Sequence, residues 1–334
     1  MTGIRDIAKR AGTSIATVSR ALNDSGYVRA DTRARIEQAM HDLQFAPNAG
    51  ARLMRRGTSR VVGVLVPALD VHFFGILAHT LEQELFARDY HAIICSTAES
   101  EEREMRYISA LLAQRVDGVL AVSVSSDGGP YRRLVEKGIP VVALDRALPG
   151  ITDETFTSDH ALGGRMMVQH LRALGHRRIA VVGAPDHSTP IQDRLRGVTE
   201  ELALEDLSPV AVHLGRAHTF EVCRDLTLAM LAGGAAPTAI IGTTDIAAIG
   251  AVHAVVAQGM SVPGDVSVIG FDDLPAARYV IPPLTTVAQP LRALGRVAVA
   301  RLCGLMAGQS PTEPDATDLS LRLVERGTTA PVRV

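Results

Sequence analysis

Cysteine is scarce in this sequence. The 334 residues contain three, Cys95, Cys223 and Cys303, isolated from one another in apolar segments with no C-x-x-C pair. That spacing excludes a zinc ribbon or a dithiol redox motif and predicts buried, reduced thiols. Long apolar runs are also lacking: the longest, such as Val61 to Val66, have the length of a strand, far short of a membrane span. No secretory signal precedes the first amphipathic segment, because Ile4 to Ala11 already carries Arg5, Asp6, Lys9 and Arg10. A cytoplasmic protein with no membrane partner is the expectation. Catalytic signatures are missing too. There is no G-x-S-x-G elbow, no H-E-x-x-H, no G-x-x-x-x-G-K and no glycine-rich dinucleotide fingerprint after a strand. Asp186, His187 and Ser188, and the Asp272-Asp273 pair, are therefore read as loop residues of a binding cleft, and neither an enzyme nor a cofactor is expected.

What the chain does have is an uneven charge. The net charge is only −2, yet residues 1 to 60 hold 11 Arg or Lys against 5 acids, for +6, and the remainder carries −8. A small basic head on an acidic body implies that the head meets a polyanion and the body does not.

The head reads as three short helices. Ile4, Ile7, Ala8 and Ala11 follow i, i+3, i+4, i+7 spacing, Gly12 breaks the pattern, and Ser14 is a suitable N-cap for a second helix with Val18, Ala21 and Leu22 facing inward. Ala30 to Leu43 supplies the third. The small residues Ala8, Ala11 and Ala21 allow close crossing, and Gly12 allows a tight turn, so the unit is a helix-turn-helix. Pro47 closes it. Asn48 to Arg56 is a short helix-capable stretch that cannot bury enough surface to be stable alone. From Arg60 on, strand-like runs (Val61 to Val66, Ala92 to Ser96, Gly118 to Val122, Val141 to Leu144, Ile179 to Gly183, Ala239 to Gly242, Val266 to Phe271) alternate with amphipathic stretches. That alternation predicts two doubly wound α/β halves with ligand-binding loops at the strand ends between them.

Several ordered motifs now carry a resemblance: Ile4 to Asn23, Tyr27-Val28, Thr32-Arg33, Pro47-Asn48-Ala49, Val64-Leu65-Val66-Pro67, Phe73-Phe74, Arg115-Val116-Asp117-Gly118, Pro140 to Arg146, Leu174 to Ile179, Arg194 to Gly197, Val262 to Asp273, and Pro283 to Val287. In this order, and over a span that reaches about Val324, the chain resembles the LacI/GalR family of bacterial transcription regulators. The resemblance implies an α/β protein with an N-terminal helix-turn-helix headpiece and a two-lobed, doubly wound, periplasmic-binding-protein-like core. The implied domains are a headpiece at 1–46, a hinge at 47–59, and a core at 60–334. Within the core the N-lobe takes about 60–160 and 290–318, and the C-lobe about 161–289 and 319–330. A homodimer is implied, with Gly75 to Arg88 and Ile246 to Gln258 as interface helices. The stretch up to Val334 has no heptad repeat, which favours a dimer over a tail-mediated tetramer.

The same resemblance assigns Ser14 to Leu22 to the DNA major groove, and residue chemistry agrees. Ile15 and Ala16 suit thymine methyls, and Arg20 can donate twice to guanine, worth roughly 1 to 3 kcal/mol of discrimination. Thr17, Ser19, Asn23 and Tyr27 suit phosphates. Asn48 to Arg56 matches the family's hinge helix, which inserts an apolar wedge in the minor groove. Here Leu53 is followed by Met54 at the wedge register, with Arg52, Arg55 and Arg56 along the backbone. Gly50 lowers helix propensity by roughly 1 kcal/mol relative to alanine, so folding on DNA is expected. In the core the implied effector residues are His72, Phe73, Phe74, Asp145, Arg194, Thr244 and Asp272. Carboxylates that accept hydroxyl protons beside a donating guanidinium suit a polyol, hence a sugar-like effector. Thr244 stands where the family commonly has asparagine, His72 where it commonly has proline, and Gly215-Arg216-Ala217 replaces an aromatic-containing turn, removing a pocket wall. A solute-binding protein or a sugar-processing enzyme would share the core fold; the first would need an export signal in place of the basic head, the second a catalytic constellation.

Overall fold

A computed structural model describes residues 3–23, 26–45, 58–125, 128–309 and 318–333. The chain divides into two compact units, Met1–Ser59 and Arg60–Val334. Among the described residues no helix is long and apolar enough to cross a membrane.

The first unit contains α1 (Ile4–Ala11), α2 (Ile15–Asn23) and α3 (Ala30–Asp42). Gly12 ends α1 in the left-handed conformation, φ 59° and ψ 42°, which costs a glycine nothing and turns the chain sharply. Ser14 caps α2, its hydroxyl accepting from the Thr17 N–H at 3.0 Å. Ile7, Ala8, Ala11, Val18, Ala21, Ile36 and Ala39 form the buried core. Alanine at four of these positions lets the helices approach closely. The Arg10 guanidinium donates to the Asp42 carboxylate at 2.8 Å, linking α1 to α3.

The second unit has two sheets. In the first, β1 (Val61–Val66), β2 (His91–Ser96), β3 (Gly118–Ala121), β4 (Val141–Leu144) and β5 (Thr155–Phe156) lie in the order β2-β1-β3-β4-β5, all parallel. One face packs on α4 (His72–Phe86) and α11 (Leu291–Met306), the other on α5 (Glu101–Gln114) and Tyr131; the short α6 (Arg132–Val135) follows that tyrosine. In the second sheet, β6 (Ile179–Gly183), β7 (Ala211–Leu214), β8 (Ala239–Gly242), β9 (Ser267–Asp272), β10 (Thr285–Ala288) and β11 (Arg322–Val324) are ordered β11-β10-β9-β8-β6-β7, with only β11 antiparallel. It is covered by α7 (His160–Ala173) and α8 (Thr189–Ala203) on one face, and by α9 (Phe220–Ala232) and α10 (Asp245–Ala257) on the other. Burial on both faces explains why most strands are continuous apolar runs. The chain leaves the first lobe at residues 157–159 and returns at 289–290; because α11 packs on the first sheet and β11 pairs in the second, it crosses again between Met306 and Arg322.

One close contact fixes the C-lobe side of the first crossover. A Cβ placed on Gly197 of α8 would lie 2.0 Å from the Ala161 carbonyl of α7, and one on Gly164 would lie 2.2 Å from the Arg194 carbonyl. The two backbones therefore touch, and Arg194 is pressed against the first turn of α7. Gly197→Ala is expected to destabilise the protein by about 1 to 3 kcal/mol through overpacking, measured as a lowered urea midpoint; an unchanged midpoint would contradict the backbone contact.

Candidate functional site

The headpiece presents Ser14, Ile15, Ala16 and Arg20 to solvent, with Thr17 and Ser19 half-buried. Ile15 is 49 % exposed at the start of α2, and Tyr27 is 85 % exposed beyond its end. Val18 is fully buried on the opposite face and carries the packing. The Arg20 guanidinium rests along its own helix, donating to the Ala16 carbonyl at 3.4 Å and the Thr17 hydroxyl at 3.5 Å. Both are long, weak bonds that a better acceptor can replace. Asn23 is the last residue of α2. The hinge residues Arg52, Leu53, Met54 and Arg55 lie outside the described residues.

In the second unit a cleft gathers Phe73, Phe74, Asp145, Arg194, Thr244 and Asp272. Its parts come from both lobes. Phe73 and Phe74 open α4 and meet edge to face, ring centroids 5.1 Å apart. Asp145 follows β4 directly, with φ 61°, and Asp272 ends β9, with φ 121°. Left-handed backbone at two strand ends, one from each sheet, is held only where surrounding structure enforces it, and such positions concentrate at functional sites. Arg194 is 3 % exposed, stacked 3.8 Å over the Phe271 ring, and donates to the Thr243 carbonyl at 2.6 Å. Its Nη2 lies 3.7 Å from the Asp272 carboxylate. The Thr244 hydroxyl accepts from the Ala247 N–H at 3.2 Å and caps α10.

His72 is a correction. It lines a separate groove on the outer side of α4, with Leu69, Ile76 and His79. One residue along a helix rotates a side chain by about 100°, so adjacency to Phe73 does not put His72 in the cleft. The adjacent acids diverge as well: Asp272 accepts from Gln289 at 2.7 Å, whereas Asp273 pairs with Arg326 at 2.5 Å and lies 3.5 Å from Arg278. Among the described residues no cluster of His, Cys, Asp or Glu can hold a metal ion. Asp186 and His187 lie 3.4 Å apart and exposed, while Ser188 turns into the cleft.

Four further residues belong to this site. Arg146 lines the cleft, donates to the Ser123 carbonyl at 3.1 Å and sits 3.7 Å from Glu99, while its buried Nε has no partner. The Ser123 loop is itself fixed by Glu104, a fully buried carboxylate that accepts from the Tyr131 hydroxyl at 2.6 Å and the Val124 N–H at 3.1 Å. His218 also lines the cleft, supplying a ring near the turn where the sequence suggests a missing wall; burial and the nearby Arg194 charge push it down to about 4, so it is neutral at pH 7. Gln289 orients Asp272 from the second crossover. His160 starts α7 between Asp145 and Arg194. Arg146 follows Asp145 within a motif and was findable; the other three stand in no motif.

A helix-turn-helix unit in one chain with a two-lobed α/β cleft defines a DNA-binding regulator with a ligand-binding-type body. Residues 3–48 match the model of bacterial regulatory proteins of the lacI family, and residues 168–329 that of the periplasmic binding protein-like domain. The chain is 33 % identical over 333 residues to the ribose operon repressor of Halalkalibacterium halodurans, covering 98 % of this chain and 97 % of that one. It is 31 % identical over 305 residues to the transcriptional repressor PurR of Haemophilus influenzae, covering 90 % and 89 %. A crystal structure of the lac repressor dimer bound to operator and the anti-inducer ONPF matches with a TM-score of 0.86 at 30 % identity, over 98 % of this chain and 99 % of that chain. The protein belongs to the lacI family of bacterial transcription regulators. Its relatives are repressors, not enzymes.

Burial pushes the Asp272 carboxyl up to about 6, against the lowering pull of Arg194 and the Gln289 hydrogen bond. The native state thus holds this proton more tightly than the unfolded chain, so the contribution of Asp272 to stability is present at low pH and is withdrawn as pH rises from about 4 to about 6. The stability of the wild type relative to Asp272→Asn, read from urea unfolding, should fall across that window. A difference independent of pH would show an ordinary carboxylate.

Proposed function

We propose that the protein is a homodimeric transcriptional repressor that acts in the cytoplasm, reads a palindromic operator with paired headpieces, and is controlled by a sugar, for which ribose is the first candidate. The observation that carries the effector reading is the convergence in one cleft of Asp145 from the N-lobe with Arg194 and Asp272 from the C-lobe, beside Phe73 and Phe74. Two carboxylates accept from sugar hydroxyls, guanidinium groups donate to neighbouring oxygens, and an aromatic ring covers the apolar face of a sugar. The unpartnered Arg146 Nε adds a donor whose burial without a bond is costly until a ligand oxygen reaches it. The relative named a ribose operon repressor supports the choice of sugar.

Because the cleft draws on both lobes, a ligand that binds it favours one lobe arrangement. It changes operator affinity only by the difference in its affinity for the two arrangements. For the dimer, α4 and α10 are the candidate interface helices, and Leu69, Val256, Tyr279 and Ile281 are large apolar residues left exposed near these elements. In the headpiece, Ile15 and Ala16 would meet thymine methyls and Arg20 a guanine, with Ser14, Thr17, Ser19, Asn23 and Tyr27 on phosphates. The hinge would place Met54 or Leu53 in the minor groove between Arg52 and Arg55.

Selection of palindromic DNA should yield a preferred operator for the whole chain and none for residues 60–334. Arg20→Ala should relax preference at one base pair of each half-site, with about 1 to 3 kcal/mol of discrimination lost. Equal operator binding by residues 60–334 would refute DNA reading by the headpiece. In a thermal-shift screen of sugars, sugar acids, sugar phosphates and purines, D-ribose at a hundredfold its dissociation constant should stabilise the protein by about 2.7 kcal/mol. Arg194→Ala should abolish the shift; a shift that survives this substitution would place the effector elsewhere.

A further inference from the structure

His160 lies where the chain first crosses between the lobes, and its ring touches both. Nε2 is 3.2 Å from the Thr157 hydroxyl and 3.5 Å from the Asp145 carboxylate. On the other edge, Arg194 approaches Nδ1 through Nε at 3.3 Å and Nη2 at 3.2 Å. The tautomer follows from donor and acceptor inventory. A guanidinium can only donate, so Nδ1 must be the acceptor; the single ring proton then sits on Nε2, facing Asp145 and Thr157. The ring is 5 % exposed and lies 6.0 Å from the Phe271 ring, leaving little water to replace either partner.

Protonation would put an N–H on Nδ1 against the N–H groups of Arg194. That contact is two donors and two positive charges face to face, and it cannot persist without moving Arg194. The charged groups around His160 oppose one another: Asp145 beyond β4 and Asp193 on α8 favour its protonation, while Arg194 on α8, held in turn near Asp272 of β9, disfavours it. Burial adds to the effect of Arg194, and the balance holds the ring below its ordinary value of 6.5.

We propose that His160 is a positioning residue for effector capture: as the neutral Nε2–H tautomer it links Asp145 of the N-lobe to Arg194 of the C-lobe and sets both ligand-gripping groups in register. This role rests on the reading of the cleft as the effector site. It makes capture sensitive to acid, since a protonated ring releases Arg194. Glutamine has the needed pair of functions, a carbonyl that accepts and an amide that donates, and it does not titrate.

Two measurements on the full chain test this. With ring-15N histidine, NMR of the sugar-free protein should show His160 as the Nε2–H tautomer at pH 7, taking up a proton only on the acid side of 6.5. An Nδ1–H tautomer, or a charged ring at pH 7, would overturn the bridge. Calorimetric titration with D-ribose from pH 5 to 8 should show His160→Ala binding about 10- to 100-fold more weakly than wild type, the loss of a hydrogen bond to a charged group. His160→Gln should recover most of the affinity and lose the part of the acid decline due to the imidazole; what decline remains belongs to groups both proteins share, Asp272 among them. Equal affinity and equal pH profiles for wild type and His160→Ala would refute the role while leaving the effector reading intact. Failure of the wild type itself to bind D-ribose would remove the ribose reading and this role with it.

Discussion

A guanidinium never loses its charge in a protein, so Arg194, 3 % exposed, must be met on every side. Most of the core's polar architecture can be understood as that requirement. Phe271 offers a ring face, the end of β8 a backbone carbonyl, His160 a ring nitrogen, and Asp272 a carboxylate. The partners come from β8, β9 and the start of α7, and each is thereby fixed against α8. The contact of α7 and α8 through Gly164 and Gly197 is the steric condition for it, because a side chain at either position would separate the helices and strand the charge. The groups that line the cleft are thus supported by bonds to one another, which would limit the ordering entropy that binding the proposed effector must overcome.

The two lobes contribute unequally. The C-lobe supplies the permanent cation and the carboxyl raised by burial; the N-lobe supplies the aromatic pair, Asp145 and Arg146. Asp145 is buried too, but His160 and the two nearby guanidinium groups outweigh burial and hold its carboxyl below the usual range. One acid is therefore firmly ionised and the other titrates near 6. That asymmetry comes from surroundings, since both residues are aspartates at the end of a parallel strand.

Much of the organisation was legible beforehand. The headpiece helices follow from 3.6-residue spacing interrupted by Gly12, and the long strands from apolar runs buried on both faces. Shorter strands such as β5 and β7 were not visible, because two to four mixed residues at a sheet edge carry no periodicity that separates them from loop. In the cleft, Phe73, Phe74, Asp145, Arg194, Thr244 and Asp272 were identifiable through family motifs. His72 was misplaced because neighbours in a helical sequence point in different directions. His160, His218 and Gln289 were invisible, since single polar residues at a crossover or a loop look like many others.

The sequence alone determined the local facts: where helices start and stop, which residues face inward, the basic head and acidic body, and the absence of catalytic and metal motifs. These depend on residues within a few positions of one another, and on sums over a segment. Tertiary structure decided which polar groups meet. Asp145, His160, Arg194, Asp272 and Gln289 span almost 150 positions of the chain, and only the parallel sheet order, the crossovers at 157–159 and 289–290 and a glycine-mediated helix contact bring their side chains within bonding distance. A hydrogen bond is satisfied or lost over less than an ångström, and no pattern in the sequence resolves distance on that scale.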